Sequence, residues 1–324
     1  MAARLNPAPW RPPEVVDLRR LSAGDLEPLL QEETATWREE LEWDFDKSAD
    51  LVRRFVDMRA LNGSALIEDD AVAGYVYYVL EENKGLIGDL YVRRGLRTPQ
   101  REELLLKAAL QPIVATPAID RVESQLMMLG RSPERQMPYA ACLSVYERNF
   151  MRLDLKRAPL AKSHVRRPMY VEKWSEHYQD KAAEVISSAY AGHIDGRIND
   201  QYRSPLGARR FLYNIVQYPG CGAFYRLASF AAFEALSGHL CGISLASLVA
   251  PNCGHITQIC VLPSVRGTGI GYELLRQSLT ALRDAGCLSA SLTVTAANED
   301  AVVLYERVGF RTVRRFSAFV WEGF

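Results

Sequence analysis

The run Gly254–Arg276, GHITQICVLPSVRGTGIGYELLR, decides how the rest of this chain is read. Its first part, Ile256 to Val261, is apolar and β-branched without a helical period and stops at Pro263, which predicts a buried strand ending in a turn. From Tyr272 the spacing changes: Leu275, Leu279 and Leu282 recur at helical intervals, with Arg276, Gln277 and Arg283 between them and Gly286 as a stop. Between strand and helix lies Arg266-Gly267-Thr268-Gly269-Ile270-Gly271. Glycines with small neighbours let the main chain turn tightly and present N–H groups at the positive end of the new helix, a combination suited to a diphosphate.

Two Gly-rich readings are excluded. A dinucleotide G-x-G-x-x-G begun at Gly267 requires Gly or Ala where Tyr272 stands, and no Gly-Lys-Ser/Thr completes a Walker-type loop. Residue by residue the loop resembles the acyl-CoA signature of the GCN5-related N-acetyltransferases (GNAT), Arg/Gln-x-x-Gly-x-Gly/Ala, here Arg266, Gly269 and Gly271. The resemblance continues through a strand at Ser289 to Thr295, then Asn298-x-x-Ala301, then Leu304-Tyr305-Glu306-Arg307-Val308-Gly309-Phe310. It implies an α/β (α+β) fold of mixed, mostly antiparallel sheet flanked by helices, with acetyl-CoA as co-substrate.

At 324 residues the chain predicts two domains of about 160 each. Apolar residues at 48% and charged residues at 24% describe a globular protein, and 39 basic against 39 acidic side chains give no electrostatic reason to expect nucleic acid or an anionic membrane. No stretch is apolar enough to span a bilayer and the start has no hydrophobic signal core, so a cytoplasmic location is expected. Six scattered cysteines read as reduced core residues, and Cys241 and Cys253 lack metal-type partners at short spacing, so no structural metal is expected.

The order of elements occurs twice. In the first half, strands are expected at 15–18, 65–68, 72–80, 86–92 and 121–128 and helices at 22–33 and 100–110, with 34–61 a second helical section. A strand at Met169 opens the second half, followed by helices at 181–190 and around 211–217 and strands at 223–233 and 241–248. Ile87, Val92 and Arg97 align with Ile256, Val261 and Arg266 at one offset, and Tyr146-Glu147-Arg148 with Tyr305-Glu306-Arg307, which reads as a tandem duplication. The basic segment Lys156 to Pro168 is the expected linker, giving domains 1–160 and 161–324. In the first, Pro99, Gln100 and Glu102 stand where the second has glycines, so coenzyme is expected only in the second. A tandem layout with a degenerate first half also resembles that of mycothiol synthases, in architecture alone.

Acetyl transfer from a thioester to an amine requires a held thioester, a neutral amine, a polarised carbonyl and a proton for the thiolate. The resemblance implies that Ile259, Cys260 and Val261 pair with the pantetheine arm through the main chain. It likewise implies that Arg266, Gly267, Thr268, Gly269, Ile270 and Gly271 cradle the diphosphate and that Tyr305 protonates the thiolate. Asn298 is expected to bond the coenzyme, a role compatible with capping the helix that begins at Glu299. His255 is the expected relay for the amine proton, with Glu299, Asp195 and His193 in reserve. Asp195, Asp200 and Tyr202 are the acceptor-site candidates; Cys260 reads as core, not as an acyl-enzyme nucleophile. The expected acceptor is a small-molecule amine, with peptide or protein lysine as the other possibility. The rival reading is a non-catalytic acyl-CoA-binding sensor or scaffold.

Overall fold

The computed structural model describes residues 13–130, 132–162, 165–218 and 220–324. They form two compact units. One comprises the described residues up to Thr34 with Ala49–Ser144 and Val320–Phe324, the other Ala35–Ser48 with Val145–Phe319.

The first unit is built on a sheet in the order β1 (Glu14–Asp17), β2 (Asn62–Glu68), β3 (Ala71–Glu81), β4 (Lys84–Val92) and β5 (Arg121–Gln125). Neighbours are antiparallel except β4 and β5, which run parallel. Helices α1 (Ala23–Leu41), α2 (Asp46–Asp57) and α3 (Pro99–Val114) complete this half of the sequence. Helix α1 runs well past the expected 22–33 because Trp37 and Leu41 continue its buried stripe.

The second unit contains β6 (Leu143–Asp154), β7 (Met169–Lys173), α4 (Gln179–Tyr190), α5 (Asp195–Ile198), α6 (Pro205–Gln217), β8 (Ala223–Phe224), β9 (Phe230–Glu234) and β10 (Leu240–Ala250). Then come β11 (Cys253–Val261), α7 (Ile270–Asp284), β12 (Ser289–Thr295), α8 (Glu299–Val308) and β13 (Arg311–Glu322). Its sheet runs β13-β6-β12-β11-β10-β9-β7, with β8 on β10. Leu275, Leu279 and Leu282 of α7 pack with Ile256, Leu292 and Tyr305. Another core gathers Ala183 and Ile186 of α4, Leu212 of α6, and Ile243 and Leu245 of β10. Leu279 is fully buried, so its truncation to alanine costs about 2–5 kcal/mol.

The duplication is visible in register. Parallel pairing covers Lys84↔Arg121 to Ile87↔Ser124 in one half and Cys253↔Ser289 to Ile256↔Leu292 in the other. One residue later each strand carries a bulge, at Gly88 and at Thr257, because the antiparallel partner advances one residue where this strand advances two.

One part of the sequence alignment does not hold. Tyr146-Glu147-Arg148 lies on strand β6, whereas Tyr305-Glu306-Arg307 lies on helix α8. Strands β6 and β13 are each 12 residues long and begin at Leu143 and Arg311, so Arg148 corresponds to Phe316. The shared triplet is coincidental, and the first half has a short 3-10 turn, Ala140–Cys142, ahead of β6. Strand β6 escapes a periodicity reading because its first six residues are exposed or half-buried. The expected strand 223–233 is likewise interrupted by a 3-10 turn, Arg226–Ala228.

Candidate active site

The Gly-rich loop is shaped by backbone chirality. Gly267 (φ 72°) and Gly269 (φ 93°) are left-handed, a region costly to residues with a Cβ, and Gly269 is the residue from which α7 starts. A Cβ at Gly267 would meet open space, so its backbone angle and not crowding demands glycine. Thr268 Oγ1 donates to the Val265 carbonyl at 2.6 Å and tightens the turn. Arg266 sends its guanidinium to the Ala189 carbonyl at the end of α4, at 2.5 Å, tying the loop to that helix; its side chain is thereby committed to protein. Ile270 and Gly271 open α7, where main-chain N–H groups have no acceptor within their own helix.

Beside this loop the sheet opens. Parallel pairing of β11 with β12 stops at Ile256↔Leu292, yet β11 continues to Val261 and pairs on its other edge with β10 as far as Val261↔Gly242. Between Ile259 and Val261 the main-chain groups that do not bond β10 therefore face an edge from which β12 has departed, a place for an extended, amide-bearing ligand. A diphosphate at the glycine turn followed by such an arm fits acetyl-CoA. The matching loop of the first unit is closed by its own side chains: Thr98 caps α3, Pro99 lacks an N–H, and Arg101 bonds Glu68 at 2.8 Å and the Leu96 carbonyl at 2.9 Å.

Tyr305 is buried on α8, and burial raises its phenol above the ordinary range, so it is protonated at neutral pH. Asp195, Arg148 and Cys260 are the groups within electrostatic reach of it. Asn298 precedes α8 without a side-chain capping bond. Gln258, also buried, donates to the Tyr190 hydroxyl at 2.9 Å and accepts from the Tyr202 hydroxyl at 3.3 Å, and the two tyrosine rings stack at 4.5 Å. Tyr202 is thus part of a wall with Tyr190. Burial pushes the Cys260 thiol up to about 12, which removes the thiolate an acyl-enzyme would need.

Two expected roles change. His255 is enclosed by Trp43 at 5.0 Å and Phe150 at 6.2 Å and bonds Ser291 Oγ through Nδ1 at 2.9 Å. Burial pushes its imidazole down to about 4, so it is neutral, enclosed and a packing residue instead of a proton relay. Asp195 is not a free carboxylate for a cationic amine. Its Oδ1 accepts from Arg148 at 3.1 Å and from the Thr295 hydroxyl, and its Oδ2 lies 3.5 Å from His193 Nδ1. Asp200 opens the 3-10 turn Asp200–Arg203 that carries Tyr202, half-buried. Tyr190, Gln258, Thr295 and Arg148 are the residues that sequence reasoning missed. The polar Gln258 in an apolar strand is a usable signal, but nothing local marks Arg148.

The unpaired edge of β11, the left-handed glycine turn and the buried phenol lie together in the second of two like halves. Residues 191–310 match the family described as "Acetyltransferase (GNAT) family". Over 70 residues it is 31% identical to N-alpha-acetyltransferase MAK3 of Arabidopsis thaliana, covering 22% of this chain and 37% of that protein. Over 71 residues it is 35% identical to an N-alpha-acetyltransferase of Sulfolobus acidocaldarius, covering 22% and 42%. The chain thus spans less than half the length of these curated relatives. A GCN5-related N-acetyltransferase from Sphaerobacter thermophilus shares the fold at TM-score 0.68 and 18% identity over 96% of this chain and 95% of that one. A tandem GNAT protein from the clavulanic acid biosynthesis pathway does so at 0.59 and 17%, over 96% and 98%.

Proposed function

We propose that this protein moves an acetyl group from acetyl-CoA to a primary amine by direct transfer in a ternary complex, at the site of the 161–324 half, while the 1–160 half takes no coenzyme. The supporting observation is the strand gap past Ile256↔Leu292, which runs to a left-handed glycine turn and lies near a buried, protonated phenol. In this reading main-chain N–H groups near Cys260 and Val261 polarise the thioester carbonyl. The neutral amine forms the new C–N bond as the C–S bond breaks. Tyr305 gives its proton to the thiolate, and its phenolate recovers the proton shed by the new amide nitrogen. The names of the relatives make peptide α-amines the acceptors to try beside small amines and lysine peptides.

The test is thiol release from acetyl-CoA across such a panel. Tyr305→Phe is expected to lower kcat at least about tenfold with coenzyme affinity retained, the scale of a lost general acid. Gly269→Gln is expected to abolish coenzyme binding. Acetyl-CoA binding without turnover of any acceptor supports the sensor reading instead.

A further inference from the structure

Thr295 closes β12 and faces Arg148 of β6 in register. The next residue, Ala296, donates its N–H to the Glu147 carbonyl at 2.8 Å, and Asn298 and α8 follow at once. Asp195 belongs to the acceptor stretch, on the short α5. Arg148 Nη1 joins the two: it stands 2.9 Å from Thr295 Oγ1 and 3.1 Å from Asp195 Oδ1, and the Arg148 and Asp195 side chains are each 13% exposed. The Thr295 hydroxyl donates to the same carboxylate oxygen. A guanidinium at this depth is costly unless paired, and strand packing does not ask for one: at the matching place of β13 stands buried Phe316.

We propose that Arg148 is a positioning residue for acetyl transfer, tying the acceptor segment through Asp195 to the strand end that leads into Asn298 and Tyr305. The inference rests on the acetyl-transfer reading above. It places part of the machinery outside the family-matched residues 191–310. Without this tie the segment carrying Asp195 loses its anchor to the strand end that leads to Tyr305, and a misplacement of about 1 Å costs on the order of a hundredfold in rate.

The experiment measures kcat, acetyl-CoA affinity and melting temperature for wild type, Arg148→Gln, and a double variant, Arg148→Met with Asp195→Leu. Arg148→Gln leaves the buried Asp195 carboxylate without its guanidinium and is at risk of unfolding; the double variant removes both charges and is the one expected to fold. The expected result is a folded double variant that binds acetyl-CoA within about threefold of wild type and turns over about a hundredfold more slowly. Wild-type kcat in the folded double variant overturns the proposal and makes the pair a packing feature. Loss of acetyl-CoA affinity in step with kcat also overturns it, because Arg148 then serves the coenzyme. Wild type that acetylates no amine removes the acetyl-transfer reading itself, and this inference with it.

Discussion

A histidine, a tyrosine and an arginine show how burial decides what a side chain does. Desolvation disfavours the charged form of both His255 and Tyr305, pushing the imidazole down and the phenol up. For Tyr305 the outcome is a phenol that keeps its proton at neutral pH. For His255 it is a neutral ring in an aromatic box, with a stability consequence. Its folded value of about 4 lies below the unfolded 6.5, so between these the unfolded chain binds a proton that the folded one refuses. Stability therefore falls as pH drops from about 6.5 to about 4, by up to about 3 kcal/mol from this residue. His255→Gln is expected to flatten the melting temperature against pH across that window; an unchanged slope would assign the acid sensitivity to other groups.

At the scale of elements, the decisive feature is a strand that loses one neighbour halfway along. The bulge at Thr257 and the end of pairing at Ile256↔Leu292 come together in β11, and α7 starts from a left-handed glycine just beyond. Gly269→Ala, a far smaller change than Gly269→Gln, places a Cβ at φ 93° and is expected to cost about 1–2 kcal/mol. Part of that strain is relieved if the loop shifts, so acetyl-CoA affinity should fall even where the protein still melts cooperatively; calorimetric titration alongside a thermal melt separates the two. Gly271→Ala is the control: its Cβ comes no nearer than 3.9 Å to Val261 and sits in helical backbone, so little change is expected. The first half shows the same bulge and the same pairing window without the glycine turn, so the sheet geometry survives where that turn does not.

For the whole molecule, the order of the chain and the make-up of its compact units differ. Strand β6 precedes the expected linker, yet from Val145 it belongs to the second unit and pairs with β12 from Ser289↔Asp154 to Thr295↔Arg148. Residues 35–48 join the same unit and bring Trp43 against His255. A fragment beginning at 161 lacks both, leaving an edge of β12 unpaired and an apolar face uncovered, and is expected to be insoluble or to melt far below the full chain. Soluble, cooperatively folding 161–324 would overturn this. Among the described residues no helix is long and apolar enough to cross a membrane.

From sequence alone, the strand, glycine turn and helix around Gly267 and Gly269, the strand Ser289–Thr295 and the helix from Glu299 were readable, since each rests on local spacing, special backbone angles or caps. The repeat of the element order was legible for the same reason. The surroundings of individual side chains were not. That His255 is enclosed, that Asp195 is already paired, and that Arg148, outside the family-matched stretch, reaches Asp195 and Thr295 depend on contacts between residues dozens to hundreds of positions apart. Such contacts leave no periodic trace, and desolvation and pairing, which set charge and reactivity, exist only once the chain has folded.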